Sequence, residues 1–244
     1  MRIQNLAAMA VAATLIAITV PAEAIDVTPM VTRLTPQQAA IGYRLSVKNT
    51  SAQPITVELT PFRMALDENG RRTLTEEKED LLLFPPQSII PPNREQVVQI
   101  RYVGPQQFSE PRMYLVRTAQ LPVRLAADES TPVGAEVQVA FNVNTHLFVS
   151  PSGTAPRLEL SDTRREANGD VRVTVRNSGT GIAHLRTARY AVTGAGGQRV
   201  DVDATKVELG EVSALQAGGV RHIRIPADQV AGVSGDVTAS ITPQ

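Results

Sequence analysis

Only a few side chains in these 244 residues have types suited to chemistry. Three histidines, His146, His184 and His222, are the natural candidates for metal ligation or proton transfer. They lie far apart, and none has a second ligand at metal-binding spacing. Asp201 and Asp203 stand two residues apart and read as turn or strand-face charges rather than an acid–base pair. The chain has no cysteine, which removes disulfides, thiolate metal sites and thiol nucleophiles. No G-x-S-x-G elbow, P-loop or G-x-G-x-x-G stretch occurs. The residues therefore predict no catalytic group, no metal and no cofactor. Lysine plus arginine (24) balances aspartate plus glutamate (24), so there is no basic field to hold nucleic acid or an anionic membrane.

What is left is recognition by backbone and apolar side chains. The longest alternation in the chain sets Val137, Val139, Phe141, Val143, Leu147 and Val149 on one face, with Gln138, Asn142, Asn144 and His146 on the other. Continuous strand from Val137 to Val149 would span roughly 43 Å at about 3.3 Å per residue, longer than most strands. One reading is a core strand of the protein's own sandwich. The other is an edge strand whose side chains serve a second chain by β-strand addition.

The elements that must position this strand are themselves strands. Residues 1–24 form a targeting segment: Arg2, an apolar run from Leu6 to Val20, then Ala22-Glu23-Ala24 as a cleavage site. The run is short for a bilayer span, and no second one follows, so the mature chain is expected to be exported without membrane insertion. Beyond it, Ile41, Tyr43, Leu45 and Val47 alternate up to Asn49, and Ile55, Val57 and Leu59 repeat the pattern. Asp67-Glu68-Asn69-Gly70 signals a hairpin. Val98 to Tyr102, Met113 to Val116, Val171 to Val175 and Val220 to Ile225 read as further strands. Leu74 to Leu83, with Glu76, Glu77, Glu79 and Asp80, reads as a solvated acidic loop. The stretch Ser150-Pro151-Ser152-Gly153-Thr154-Ala155-Pro156 is a linker that divides the mature chain into residues 25–150 and 151–244. Each part has the size of an immunoglobulin-like sandwich, so the expected fold is all-β, two tandem β-sandwich domains, with a single large β-domain as the alternative.

An ordered set of landmarks resembles the periplasmic PapD-like chaperones of the chaperone–usher pathway. Val27-Thr28-Pro29 opens a first strand ending near Leu34-Thr35-Pro36, and Leu45-Ser46-Val47-Lys48-Asn49 matches the second strand with its closing asparagine. The most specific piece runs from Leu83-Phe84-Pro85-Pro86-Gln87-Ser88-Ile89-Ile90-Pro91-Pro92 to Gln96-Val97-Val98-Gln99-Ile100-Arg101. Tyr114 to Leu121-Pro122 follows, then the alternating run that ends in Leu147-Phe148-Val149-Ser150-Pro151. In the second part Val173-Thr174-Val175-Arg176-Asn177 and Gly179 match a corner of the family. The first strands and the Arg112–Val116 segment are closer to its archaic or alternative branch.

The resemblance implies a function. Fimbrial subunits of this pathway lack their last strand and present an open apolar groove, an aggregation hazard when uncovered. The chaperone fills it with its own strand; here the donor side chains would be Val137, Val139 and Phe141, with Val143 as an extension. The family also anchors the subunit's terminal carboxylate on two basic residues in the cleft between domains. The early position falls at Thr32 or Arg33, of which Arg33 is the natural candidate, and His146 occupies the later one, where classical members carry lysine. The implied partners are a pilus or fimbrial subunit and an outer-membrane usher, the implied compartment is the periplasm, and self-association of the free protein would hide its open strand. The rival reading is a structural or adhesive subunit of a surface fibre. A fibre subunit should carry a free donor extension at its mature amino terminus, whereas here Ala24 leads almost at once into a strand.

Overall fold

A computed structural model of the chain describes residues 25–122 and 140–243. The expected signal segment and the donor candidates Val137 and Val139 lie outside the described residues. The first sandwich contains β1 (Ile25–Thr28), β2 (Val31–Leu34), β3 (Tyr43–Asn49), β4 (Ile55–Leu66), β5 (Arg72–Glu76), β6 (Leu81–Phe84), β7 (Gln87–Ile90), β8 (Glu95–Tyr102), β9 (Arg112–Leu121) and β10 (Asn142–Val149). One sheet runs β1-β3-β8-β6; the other runs β2-β10-β9-β4-β5, with β7 paired to the first half of β4. Leu45, Val47, Val98 and Ile100 from the first sheet meet Val57, Leu59, Val116, Leu147 and Val149 from the second in one buried core. This is the packing that period-2 alternation on both sheets dictates.

The first strand expected from Val27 to Leu34 is in fact two. β1 pairs with β3, while β2 crosses to the opposite sheet and lies parallel to β10. Ile41, expected to head the next strand, instead ends a short helix, α1 (Pro36–Ile41), and is 79% exposed. A capping box starts that helix: Thr35 Oγ1 accepts from the Gln38 amide, Gln38 Oε1 accepts from the Thr35 amide, and Pro36 takes a first-turn position. The acidic stretch is not a solvated loop. Glu76 and Glu79 are exposed, but Glu77 and Asp80 are buried. Asp80 Oδ2 accepts from Arg63 Nη2 and Arg112 Nη1 at 2.6 Å each and from the Tyr114 hydroxyl at 2.5 Å. Glu77 Oε1 accepts from the amides of Glu79 and Asp80. Buried carboxylates persist when such partners surround them, and those of Asp80 come from β4 and β9, remote in sequence.

The second sandwich contains β11 (Leu158–Arg165), β12 (Val171–Asn177), β13 (Ala183–His184), β14 (Arg189–Gly194), β15 (Arg199–Val202), β16 (Ala214–Leu215), β17 (Val220–Ile225) and β18 (Val237–Thr242). Its sheets are β11-β12-β17 and β15-β14-β18, with β13 paired to β16. Val171, Val173, Val175, Val192, Ile223 and Ile225 are among its core residues. Each sandwich also has the same polar pin. Asn49 Nδ2 donates to the carbonyls of Gln53, Ile90 and Pro91, and Asn177 Nδ2 donates to those of Gly181, Leu215 and Gln216. Both asparagines close an alternating strand and are fully buried.

A third apolar cluster joins the two sandwiches. Met64, Leu66, Met113 and Phe148 of the first pack on Ile182, Val212 and Ala214 of the second. The hairpin tip at residues 67–70 also reaches across. The Gly70 carbonyl accepts from the amides of Glu211 and Val212, and the Glu68 carbonyl accepts from the His222 amide. Gly70 has φ +74° and lies so close to Arg221 that a Cβ there would be 2.5 Å from its Nη1, so only glycine fits the docked turn. Arg221 is 0% exposed and donates to the carbonyls of Leu209, Val212 and Ala214.

Candidate functional site

The candidate site begins with the surroundings of β10. Along its whole described length β10 pairs antiparallel with β9, from Asn142 opposite Ala119 to Val149 opposite Arg112. On its other side β2 lies alongside only from His146 to Val149. The Gln120 amide donates to the Phe141 carbonyl, whereas the His146 amide donates to the Met30 carbonyl. Odd-numbered residues therefore direct their backbone groups to β9, and even-numbered ones direct theirs to the β2 side. Asn142 and Asn144 face that side beyond the start of β2, with no strand beside them among the described residues. An edge of this kind can take another strand.

Side chains along β10 divide the same way. Val143, Leu147 and Val149 pack on the first core, and Phe141 follows their parity at the head of the strand, 36% exposed. Of the four donor candidates, Phe141 thus has apolar surface to offer and Val143 is partly committed to the fold.

The opposite face of β10 leads into the interdomain cleft. There Phe148 lies opposite Arg33 and His146 opposite Val31, so the two anchor candidates share a face on neighbouring strands. His146 stacks parallel to Phe148, with ring centroids 6.3 Å apart. Its Nε2 is buried with no hydrogen-bond partner among the described residues. Burial first, and the charge of Arg72 second, hold its pKa below the ordinary imidazole value, so the ring is neutral at pH 7.

Arg33 does not meet His146; it meets the second sandwich. Its Nε donates to His184 Nε2 at 2.7 Å, and the His184 ring stands edge-on to Phe148 at 5.2 Å. Burial and then the Arg33 charge depress the His184 pKa to about 4, so the ring is neutral and accepts through Nε2. Arg33 and His184 open on a cleft of about 360 Å³ together with Gln38, Phe148, Ser150 and Thr154. Among the described residues no carboxylate lines it. One guanidinium among neutral groups gives this cleft a local positive charge.

In the sequence His184 is an isolated histidine, and nothing there places it beside Arg33, 151 residues away. Arg117 was also missed. It lies over the Phe62 ring at 4.8 Å and approaches Asn144 Oδ1 at 3.5 Å, next to the open edge. His222 sits at the other contact between the sandwiches, 3.4 Å from Glu68. Asp203 closes a turn by accepting from the Thr205 amide and hydroxyl, and Asp201 stands 3.7 Å from Arg199. Among the described residues no group of three or more histidines and carboxylates is placed to hold a metal ion. No helix among them is long and apolar enough to cross a membrane.

Two β-sandwiches joined at a cleft, with a strand edge leading into it that is unpaired among the described residues, define the class as two-domain immunoglobulin-like β-sandwich proteins. The chain matches the family model described as pili and flagellar-assembly chaperone, PapD N-terminal domain, over residues 26–155. It belongs to that family and is a PapD-like assembly chaperone. Among solved structures it is similar to the Escherichia coli chaperone DraB, with 17% identity and a TM-score of 0.52 over 84% of this chain and 88% of that one. A chain of the complex between Salmonella enterica SafA pilin and the SafB chaperone matches with 15% identity and a TM-score of 0.55, over 91% and 90%. The Acinetobacter baumannii pre-assembly complex of CsuC with CsuE, from archaic chaperone–usher pili, matches with 11% identity and a TM-score of 0.52, over 84% and 91%. Among curated proteins none matches by sequence.

Proposed function

We propose that the protein is a periplasmic, non-enzymatic chaperone that captures an incomplete pilus or fimbrial subunit by donating a strand and passes it to an outer-membrane usher. Residues 1–24 direct export and are removed; residues 25–150 form the capturing domain and residues 151–244 the second sandwich. The observation that carries this reading is the β10 edge at Asn142 and Asn144, unpaired among the described residues and headed by a partly exposed Phe141. A client strand laid there gains backbone hydrogen bonds, while Val137, Val139 and Phe141, with Val143 as the boundary, supply apolar side chains in a fixed register. Arg33 takes the client's terminal carboxylate in the cleft, and His146, a neutral ring stacked on Phe148, is the second anchor candidate. Two similar structures are described as complexes with a pilin and with a tip adhesion subunit, which is the partner class the edge fits. Subunit folding against the donated strand drives the cycle, so no nucleotide is needed.

The test is native mass spectrometry of the tagged protein isolated from the periplasm of its own host. A one-to-one complex with a small exported β protein is expected. A lone monomer under conditions where its pilus genes are expressed removes the chaperone reading, and a long homopolymer assigns the protein to the fibre itself. A homodimer that dissolves when a client is added identifies the free protein's way of covering the edge.

A further inference from the structure

We infer that His184 is a positioning residue for the carboxylate seat, through which the second sandwich sets how Arg33 meets its ligand. The inference rests on the proposed reading of Arg33 as the anchor for a client carboxylate.

A guanidinium can grip a carboxylate along two edges, side-on through Nε and one Nη, or end-on through both Nη groups. In this protein the first edge is taken. Arg33 Nε donates to His184 Nε2 at 2.7 Å, and Arg33 makes no other hydrogen bond or ion pair among the described residues. The two Nη groups therefore remain as a preorganised end-on fork on the cleft. His184 is itself held: it ends β13, whose partner β16 fixes the backbone, and its ring is braced edge-on against Phe148. Phe148 in turn belongs to the apolar cluster that joins the sandwiches. Arg33, an exposed residue near a strand end, would otherwise lose much side-chain freedom on binding. The second sandwich removes that freedom beforehand, so a ligand finds the fork already aimed. Anchoring consequently depends on the two sandwiches keeping their relative placement, although the strand edge belongs to the first alone.

The experiment uses N-acetyl-L-alanine as a terminal-carboxylate probe and N-acetyl-L-alaninamide as its uncharged control, followed by chemical-shift titration of the full mature protein. The amides of Ser150 and Gly181, beside the cleft, are the reporters. The wild type is expected to respond to the acid and not to the amide. His184→Ala should weaken acid binding about tenfold, the order expected for losing one hydrogen bond to a charged group. His184→Gln, whose Oε1 can accept near the position of Nε2, should restore most of the affinity. In an Arg33→Ala background His184→Ala should have no further effect. A role confined to stability would lower the unfolding midpoint without that rescue or that dependence on Arg33.

Equal affinities in the wild type and His184→Ala, with Arg33→Ala abolishing binding, overturn the inference and leave the anchor standing. A wild type that answers neither probe overturns the anchor and the inference together, while client capture in the periplasm still tests the donated edge separately.

Discussion

If the proposed function holds, replacing Phe141 with alanine should separate the protein's own folding from its hold on a client. Phe141 is 36% exposed in the free chain. A phenylalanine side chain buries about 200 Å² when fully enclosed, so about 70 Å² of this one is left for a partner to cover. At about 25 cal/mol per Å², covering it contributes about 1.8 kcal/mol to capture, or about twentyfold in dissociation constant. The part already buried is lost from the fold as well, at the cost of a modest drop in stability common to partial truncations at a sandwich edge. The assay is biolayer interferometry with the subunit that co-purifies from the periplasm, alongside urea unfolding of the free protein. The expected result is a dissociation constant raised about twentyfold, chiefly through a faster off-rate, with the folded baseline intact. A constant changed less than twofold in a folded variant would refute the assignment of Phe141 as a donor side chain.

Val143→Asp should act in the opposite place: it puts a carboxylate against the first core, so the urea midpoint should collapse, and a soluble, normally stable variant would show that Val143 is not part of that core. Asn49→Ala and Asn177→Ala each remove a fully buried amide that serves three carbonyls, and each should cost about 3–5 kcal/mol in urea unfolding; a loss under 1 kcal/mol at either site would mean that the pin is dispensable. The depressed pKa of His184 gives a pH signature. The unfolded ring takes up a proton near 6.5 and the folded one near 4, so its stabilising effect is complete above pH 6.5 and is lost as pH falls towards 4. That depression corresponds to about 3 kcal/mol, reduced to about 1–2 kcal/mol by the ring's partial access to solvent. Between pH 7 and pH 4 the wild type should therefore lose about 1–2 kcal/mol more than His184→Gln by chemical denaturation, and equal losses would reject the desolvated ring.

Much of the fold was legible because alternation and turn residues carry it locally. Leu45 and Val47, or Val171, Val173 and Val175, announce their buried faces without any partner in view, and Asp67 to Gly70 announces a turn by residue type alone. The short helix Pro36–Ile41 was not anticipated, because the apolar Ile41 and the alternation after it suggested strand, although Thr35-Pro36-Gln37-Gln38 carries the residue types of a capping box. What could not be read was pairing at a distance. Asp80 looks like a surface charge until Arg63, Arg112 and Tyr114 converge on it. Of the candidate site, Arg33 and His146 emerged from the resemblance and do share a face. Phe148, the neighbour of His146, lies two residues along the same strand and follows from alternation, whereas His184, the neighbour of Arg33, depends on a crossing β2 and on a second domain, neither of which leaves a periodic trace.

Under the proposed function, the geometry of β10 would also tie the client's register to the protein's own core. Val143, Leu147 and Val149 are locked into that core, so the parity of Phe141 is fixed before any client arrives. Under the proposed reading Arg33 supplies a second mark. It lies opposite Phe148, four residues from Asn144, the nearest open rung of the edge. At about 3.3 Å per residue the separation is about 13 Å, so a client held by its carboxylate has about four residues to span before its ladder with β10 begins. Adding one residue to the client's carboxyl terminus would leave two choices, both costly. Either the carboxylate keeps its seat and every side chain turns to the wrong face, or the register holds and the charge leaves Arg33. A client with one added residue should therefore bind at least tenfold more weakly, through loss of a charge-assisted pair or of the apolar match. Two added residues preserve parity and should recover part of the loss if the spacer can bulge. Unchanged capture with one added residue would mean that the carboxylate sets no register, and that the core of β10 alone aligns the client.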